Sequence, residues 1–241
     1  MPYLRYLDEE RLSVARGLVR NASVRNIFGF NSSLGDSYIP LWENNTVYTY
    51  PTANTAMGMT SDDGTDSCTV RVVGLDSNYE IISENVTVDG TANTVLSNEF
   101  FRINDLITIA GNTANGTITL TGGSTVYGQI NPRVGRNQAS IFTVPAGHSF
   151  HLNRIDAFSA TAALNNRILF FRNRAVTPAG VEFNVAETSF LEQMNIQRYY
   201  PFAYSEKTDI QFQGKASAGT QEYGVFGEGI LIDDEGTGQR S

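Results

Sequence analysis

The chain has 241 residues, 41% of them hydrophobic and only 17% charged, with a formal net charge of −8. It can build a large core, but it lacks the basic balance that nucleic-acid binding needs. The single cysteine, Cys68, excludes an intrachain disulfide, and no apolar run approaches the ~20 residues of a transmembrane helix.

In chain order, the first predicted element is a short helix from about Asp8 to Arg20. Asp8, Glu9 and Glu10 lie where a helix dipole favours acids, and Arg16 and Arg20 where it favours cations. Leu12, Ala15, Leu18 and Val19 fall at helical spacing as an apolar stripe. Beyond it, the stretch to about residue 44 mixes Ile27, Phe28, Phe30, Tyr38, Ile39, Leu41 and Trp42 with Gly, Asn, Ser and Pro. It reads as an aromatic-rich irregular arm. Tyr3, Tyr6, Phe28, Phe30, Tyr38 and Trp42 are the residues expected to order it against neighbouring subunits, with packing on its own domain as the alternative.

A first β domain is expected over residues 45–132. Candidate strands are Thr46–Tyr50, Ala56–Thr60, Cys68–Leu75, Ile81–Val88, Phe100–Ala110 and Gly116–Thr121, separated by turn clusters. The clearest is the hairpin Thr69–Val88, whose Asp76–Tyr79 turn is expected as an exposed tip. Cys68 alternates with Val70 and Val72, which reads as a buried, inert thiol. Residues 131–138 hold Pro, Gly and polar residues and read as a linker.

A second, jelly-roll-like β domain is expected over residues 139–234, followed by a polar tail at 235–241. Its candidate strands are Ile141–Val144, Ser149–Phe158, Arg167–Arg174, Val181–Val185, Glu187–Gln193, Ile196–Pro201, Thr208–Ala216 and Tyr223–Ile232. In the last strand Val225, Ile230 and Ile232 are taken as one alternating apolar set. The fold class is therefore all-β, two sandwich domains behind an N-terminal arm with one short helix.

Chemistry-bearing motifs are weak. His148 and His151, three apart on a strand, point to opposite faces and cannot share a metal there. No Gly-x-Ser-x-Gly elbow accompanies either. Asp62-Asp63-Gly64-Thr65-Asp66 is a turn before it is a calcium loop, because EF-hand spacing and the distal Glu are missing. Gly224, Gly227 and Gly229 lie inside a strand pattern, so close backbone contacts or bulges explain them better than a phosphate cradle. Arg198, Tyr199 and Tyr200 open an aromatic run to Tyr204. It fits a subunit interface, a sugar-stacking platform or a strand packed on its own core.

The run VRVVGLDSNYEIISENVTVDGT, then EFFRINDLITIAG and GTITLTGG, then IFTVPAGHSFHLNRIDAF, PFAYSEKTDIQFQGKASAG and the closing GILID resembles virion structural proteins of tailed bacteriophages of marine bacteria and cyanobacteria. The resemblance spans about Ile27 to Asp233. It implies a capsid decoration, cement or head-fibre component that binds the outer capsid surface and bridges major capsid subunits. It carries no catalytic residue and no cofactor. The expected protein is a non-enzymatic homo-oligomer, a trimer by preference, located on the virion and contacting neither nucleic acid nor membrane. Neck, tail or fibre placement and a carbohydrate-binding module are the alternatives. No basic segment followed by an apolar one opens the chain, so synthesis in a host cytoplasm is expected.

Overall fold

The computed structural model describes residues 12–159 and 167–234. They are all-β apart from one helical turn at 12–15. The strands form two groups, each around its own apolar core. The first group has two sheets. One places β1 (Ala22–Leu34), β16 (Gln221–Asp233), β11 (His148–Phe158) and β14 (Gln193–Tyr204) side by side. The other places β10 (Ile141–Thr143), β15 (Asp209–Ala216), β12 (Leu169–Val176) and β13 (Glu182–Phe190) side by side. The two-residue β2 (Ile39–Pro40) continues the β10 side of β15.

All these pairings are antiparallel. If the strands other than β2 are counted one to eight along the chain, the sheets read 1-8-3-6 and 2-7-4-5. That is the order of a jelly roll, two Greek keys closed into a double sheet. Its core includes Ile27, Leu34, Phe142, Phe150, Phe171, Phe212 and Tyr223.

The second group is inserted between the first two strands of the jelly roll. It pairs β6 (Thr94–Phe100), β3 (Thr55–Ser61), β8 (Ile118–Gly122) and β9 (Thr125–Ile130) in one sheet. The facing sheet holds β5 (Ile81–Asp89), β4 (Ser67–Leu75) and β7 (Arg102–Gly111). Alternation drives the hairpin of β4 and β5. Cys68, Val70 and Val72 point inward opposite Val88, Val86 and Glu84, and Val70 and Val72 are fully buried. Burial pushes the Cys68 thiol up, as an inert core thiol requires. The Glu84 carboxylate accepts N–H bonds from Ser97 and Asn98 and so joins β5 to β6.

Several sequence expectations change. Residues 22–34 are no irregular arm. They form a thirteen-residue strand paired with β16 from Ala22↔Ile232 to Leu34↔Gln221. Trp42 is buried beside Tyr48 and Ile141, and Thr46–Tyr50 is not a strand but carries the Trp42–Tyr48–Tyr50 edge-to-face ladder. In the helical turn the residue facing inward is Val14, whereas Leu12 and Leu18 are 57% and 64% exposed. Gly17, at φ 69°, ends the turn. Strands β6 and β9 were missed.

The segment 131–138 is no free linker. Asn137 mimics a strand partner, exchanging bonds with Leu106 through its side chain and its backbone N–H, and Gly135 O accepts from Thr108. The hairpin tip is not free either. Asp76 Oδ1 accepts from the N–H groups of Asn78 and Glu80, which sets the turn. Tyr79, at φ 66°, then lies edge-on to Phe101, and its carbonyl takes the Ala146 N–H at 2.9 Å.

A polar seam therefore joins the two groups. Arg102 donates Nε and Nη2 to the two oxygens of Asp209 at 2.9 and 3.0 Å, and Nη1 to the carbonyls of Pro51 and Phe101. Its guanidinium stacks on Tyr50 and Phe101. Thr143 donates its hydroxyl to the same Asp209. Asn104 and Thr143 exchange two bonds, and Asp105 receives Arg136 in a fork.

Because removing one partner of a buried pair strands the other charge, Arg102→Ala should cost about 3–5 kcal/mol. Replacing both with apolar residues (Arg102→Met with Asp209→Leu) should cost far less than the sum of the single changes. Urea denaturation of Arg102→Ala, Arg102→Met, Asp209→Leu and the double variant checks this. Deleting residues 1–43 removes strand β1 from the jelly roll. The truncated chain should show no cooperative thermal transition by circular dichroism, rather than a folded body.

Glu43 supplies a pH test. It is 5% exposed. Burial raises its carboxyl from 4.5 to about 7, against the weaker pull of the Gln138 and Asn131 backbone N–H groups. Between those values the unfolded chain ionises and the folded chain does not. Stability should thus fall as pH rises from 4.5 to 7, by on the order of 3 kcal/mol, and level off above. Glu43→Gln should remove that slope in melts taken across this range.

Candidate interaction surface

Side chains alternate across a strand, so antiparallel sheets with one free face normally show polar residues there. The sheet β1-β16-β11-β14 departs from this. The cross-strand register sets Phe28, Phe226, Asp156 and Asn195 in one outward row. The next row is Phe30, Gly224, Phe158 and Gln193. A third, Asn26, Glu228, Arg154 and Gln197, lies on the other side of the first. Phe158 is 53% exposed, and Phe28, Phe30 and Phe226 are half-buried. The Phe28 and Phe226 rings meet at 5.1 Å, with the Arg136 guanidinium over Phe28. Around this aromatic centre lies a charged border in which Arg154 pairs with Asp156 at 2.7 Å and Asn195 donates to Asp156. An apolar centre with a polar rim is the anatomy of a protein interface.

The glycines of β16 build this face. A Cβ at Gly224 would meet the Phe158 ring at 2.3 Å, so glycine lets that ring lie across the strand. On the inner side, a Cβ at Gly227 or Gly229 would strike Phe212 or Phe150. The expectation of close contacts holds, and no phosphate cradle is needed. The alternating set in this strand needs correction: Val225 points inward, whereas Ile230 and Ile232, five and seven residues on with Gly229 between, point outward.

The lateral edges of the jelly roll differ. On one side, β1 and β10 are closed by the inserted group, through Phe30 N–H to Gln138 O, Arg25 Nη2 to Asn104 O, and the Asn104–Thr143 bonds. On the other, β13 and β14 have no outer strand partner among the described residues. Strand β14 also bulges: Gln197 pairs with Arg154 and Phe202 with Leu152, so Arg198–Pro201 all face Asn153 alone. The bulge throws Tyr199 and Tyr200 outward, 75% and 79% exposed and edge-to-face at 4.8 Å. Arg198 turns the other way, toward the Phe202 ring and the Val185 carbonyl.

Of the residues expected to mediate contacts, Phe28 and Phe30 come together on the outward face, while Tyr199 and Tyr200 stand on the neighbouring bulge. Tyr38 packs beneath Arg172 and Lys215 and donates its hydroxyl to Glu187; burial, then Glu187, pushes its phenol up to about 12. Trp42 is buried and offers no surface. Tyr3 and Tyr6 lie outside the described residues. Phe158 and Phe226 were missed. Their signal was parity: Phe226 shares its face with Glu228 and Ile230, not with Val225.

The chemistry-bearing motifs are occupied structurally. Burial raises the Asp66 carboxyl, but bonds from the Ser61 hydroxyl and the Asn115 and Gly116 N–H groups outweigh it and hold the group low. Asp62 accepts from Thr117 and Asp63 from Thr65. Among the described residues, no group of three or more His, Cys, Asp or Glu side chains could hold a metal ion. Ser149 donates its hydroxyl to Asp234, so His151, 3.1 Å from that oxygen, can only donate to it. That is the reverse of a histidine activating a serine.

No family model matches the sequence, and no curated protein matches it. Among solved structures, the chain is similar to one of infectious bursal disease virus Gx strain, with 10% identity, 88% of this chain and 72% of that one covered, and a TM-score of 0.26. It is also similar to one of the Gt strain of that virus, with 9% identity, coverage of 97% and 78%, and a TM-score of 0.22. T=1 particles derived from infectious bursal virus give 13% identity, coverage of 89% and 70%, and a TM-score of 0.23. These superpositions are loose; the jelly-roll topology stands on the strand order alone.

Proposed function

We propose that the protein is a structural component of a virus particle. One observation carries the reading: an outward sheet face of a jelly roll, where polar residues are the rule, is centred on Phe28, Phe30, Phe226 and Phe158. Jelly rolls recur in viral capsid domains, and an aromatic centre inside a charged rim is built to be covered by protein. In this reading the face seats on the outer surface of a tailed-bacteriophage capsid and bridges major capsid subunits, as the sequence resemblance implies. A homotrimer at local three-fold positions would match the symmetry of such a shell. Low charge supports the same role, because few ions must be desolvated when the surface is covered.

The test is co-sedimentation with particles assembled without the protein. Phe158→Glu puts a charge into the centre of the face; because about half of the ring is buried over Gly224, it should cost about 1–2 kcal/mol, and a retained cooperative melting transition checks that the variant is folded. The substitution should lower particle-bound protein at least tenfold. Wild-type occupancy by the variant sinks the reading. Quantitative mass spectrometry of the loaded particles separates a surface decoration, present in proportion to the capsid subunits, from a neck, tail or fibre component.

A further inference from the structure

We infer that the β14 bulge is a second binding site, one for an uncharged oligosaccharide. It adjoins the phenylalanine face and shares Gln193, Asn195 and Gln197 with the border of that face, but its stacking residues, Tyr199 and Tyr200, lie on the bulge outside it. Tyr199 and Tyr200 are the two most exposed of the large apolar side chains among the described residues, at 75% and 79%. They are not frayed. They project because Arg198–Pro201 loops away from β11 opposite the single residue Asn153. A bulge of this kind re-aims side chains, and here it presents two tyrosine rings to solvent at 85° to each other.

What lies beside the rings sets the ligand class. Gln193, Asn195 and Gln197 follow one another on the outward side of the same strand, all exposed. A carboxamide both donates and accepts; Asn195 gives an N–H to Asp156, and Gln193 and Gln197 on either side of it match sugar hydroxyls, while the tyrosine rings offer flat surfaces to the C–H faces of a pyranose. An anionic ligand fits poorly. The cation of the bulge, Arg198, is turned inward onto Phe202 and Val185, and the chain carries a net charge of −8. Single-stranded nucleic acid also stacks on aromatics, but it needs a positively charged groove. Sheet extension at this edge is hindered too, because Pro201 offers no N–H and the bulge breaks the strand line. Recognition here falls to the side chains.

The probe is a printed array of neutral, sialylated and sulfated oligosaccharides, followed by titration calorimetry with the best soluble neutral binder. The full-length protein should bind one or more neutral glycans, with affinity unchanged between 50 and 500 mM salt. Tyr199→Ala and Tyr200→Ala should each weaken binding at least tenfold, and Gln197→Ala about threefold. Val95→Ala, a distant exposed control, should bind as wild type. Both tyrosines are too exposed to matter for folding, and unchanged melting curves check this. Three results overturn the inference: no neutral glycan bound, binding retained by the double tyrosine variant, or binding confined to acidic glycans and lost in salt. Loss of particle attachment in the double variant without any glycan binding overturns it as well, in favour of a protein contact.

Discussion

The pair between Arg102 and Asp209 is the contact on which the arrangement of the two strand groups depends. It ties β7 of the inserted group to the start of β15 in the jelly roll, 107 residues away. Four N–H bonds leave the guanidinium, two to the carboxylate and two to backbone carbonyls. Aromatic rings cover its faces. Lysine could not replace it, since an ammonium lacks both the planar fork and the stacking surface. Asp209 is shared with the Thr143 hydroxyl, so the same carboxylate also holds β10. The hairpin tip at Tyr79 and the Lys207 turn meet over this pair, and both adopt left-handed φ values that side chains seldom take.

Closing that side of the jelly roll gives the other surfaces their character. With β1 and β10 covered by the insert, the outer face of the β1-β16-β11-β14 sheet and the β13–β14 edge are the parts of this sheet pair that combine exposed aromatic rings with no strand partner among the described residues. The central strand β16 is specialised for this. Its inner glycines admit Phe212 and Phe150 from below, and Gly224 admits Phe158 from above. Large rings from neighbouring strands therefore fill space on both sides of a thin strand. The core and the aromatic face share one backbone, so a bulkier residue in β16 would disturb both.

Strands with an uninterrupted apolar pattern were legible in the sequence whether their partners are near or far, whereas β9 was missed although it is hairpinned to β8. The hairpin β4–β5 and strands β11, β15 and β16 follow from β-branched alternation bounded by turn residues. Strand β1 was not legible, because its Gly29, Asn31 and Ser33 look like turn residues. Its partner β16, about two hundred residues away, supplies no local signal to offset them. In the fold, Gly29 makes room for Leu41 O and Ser140, and Asn31 is a fully buried side chain that accepts the Ser33 N–H. The 131–138 segment misled in the same way, because an Asn side chain can stand in for a strand partner. The aromatic face was half legible: Phe28 and Phe30 drew notice as aromatics, but only the register unites them with Phe226 and Phe158.

The open β13–β14 edge carries a last consequence. Unpaired strand edges invite sheet-to-sheet aggregation, and proteins blunt them with bulges, proline and charge. Here the bulge and Pro201 blunt β14, and β13 carries the charges of Glu182 and Glu187 within it. Such an edge rejects indiscriminate strand addition but still displays Tyr199 and Tyr200. Backbone pairing would fuse neighbours without regard to geometry, whereas side-chain contacts hold only where shape and chemistry match. The edge and the aromatic face thus differ in kind: the edge is blunted against backbone pairing, and the face exposes rings from β1, β11 and β16.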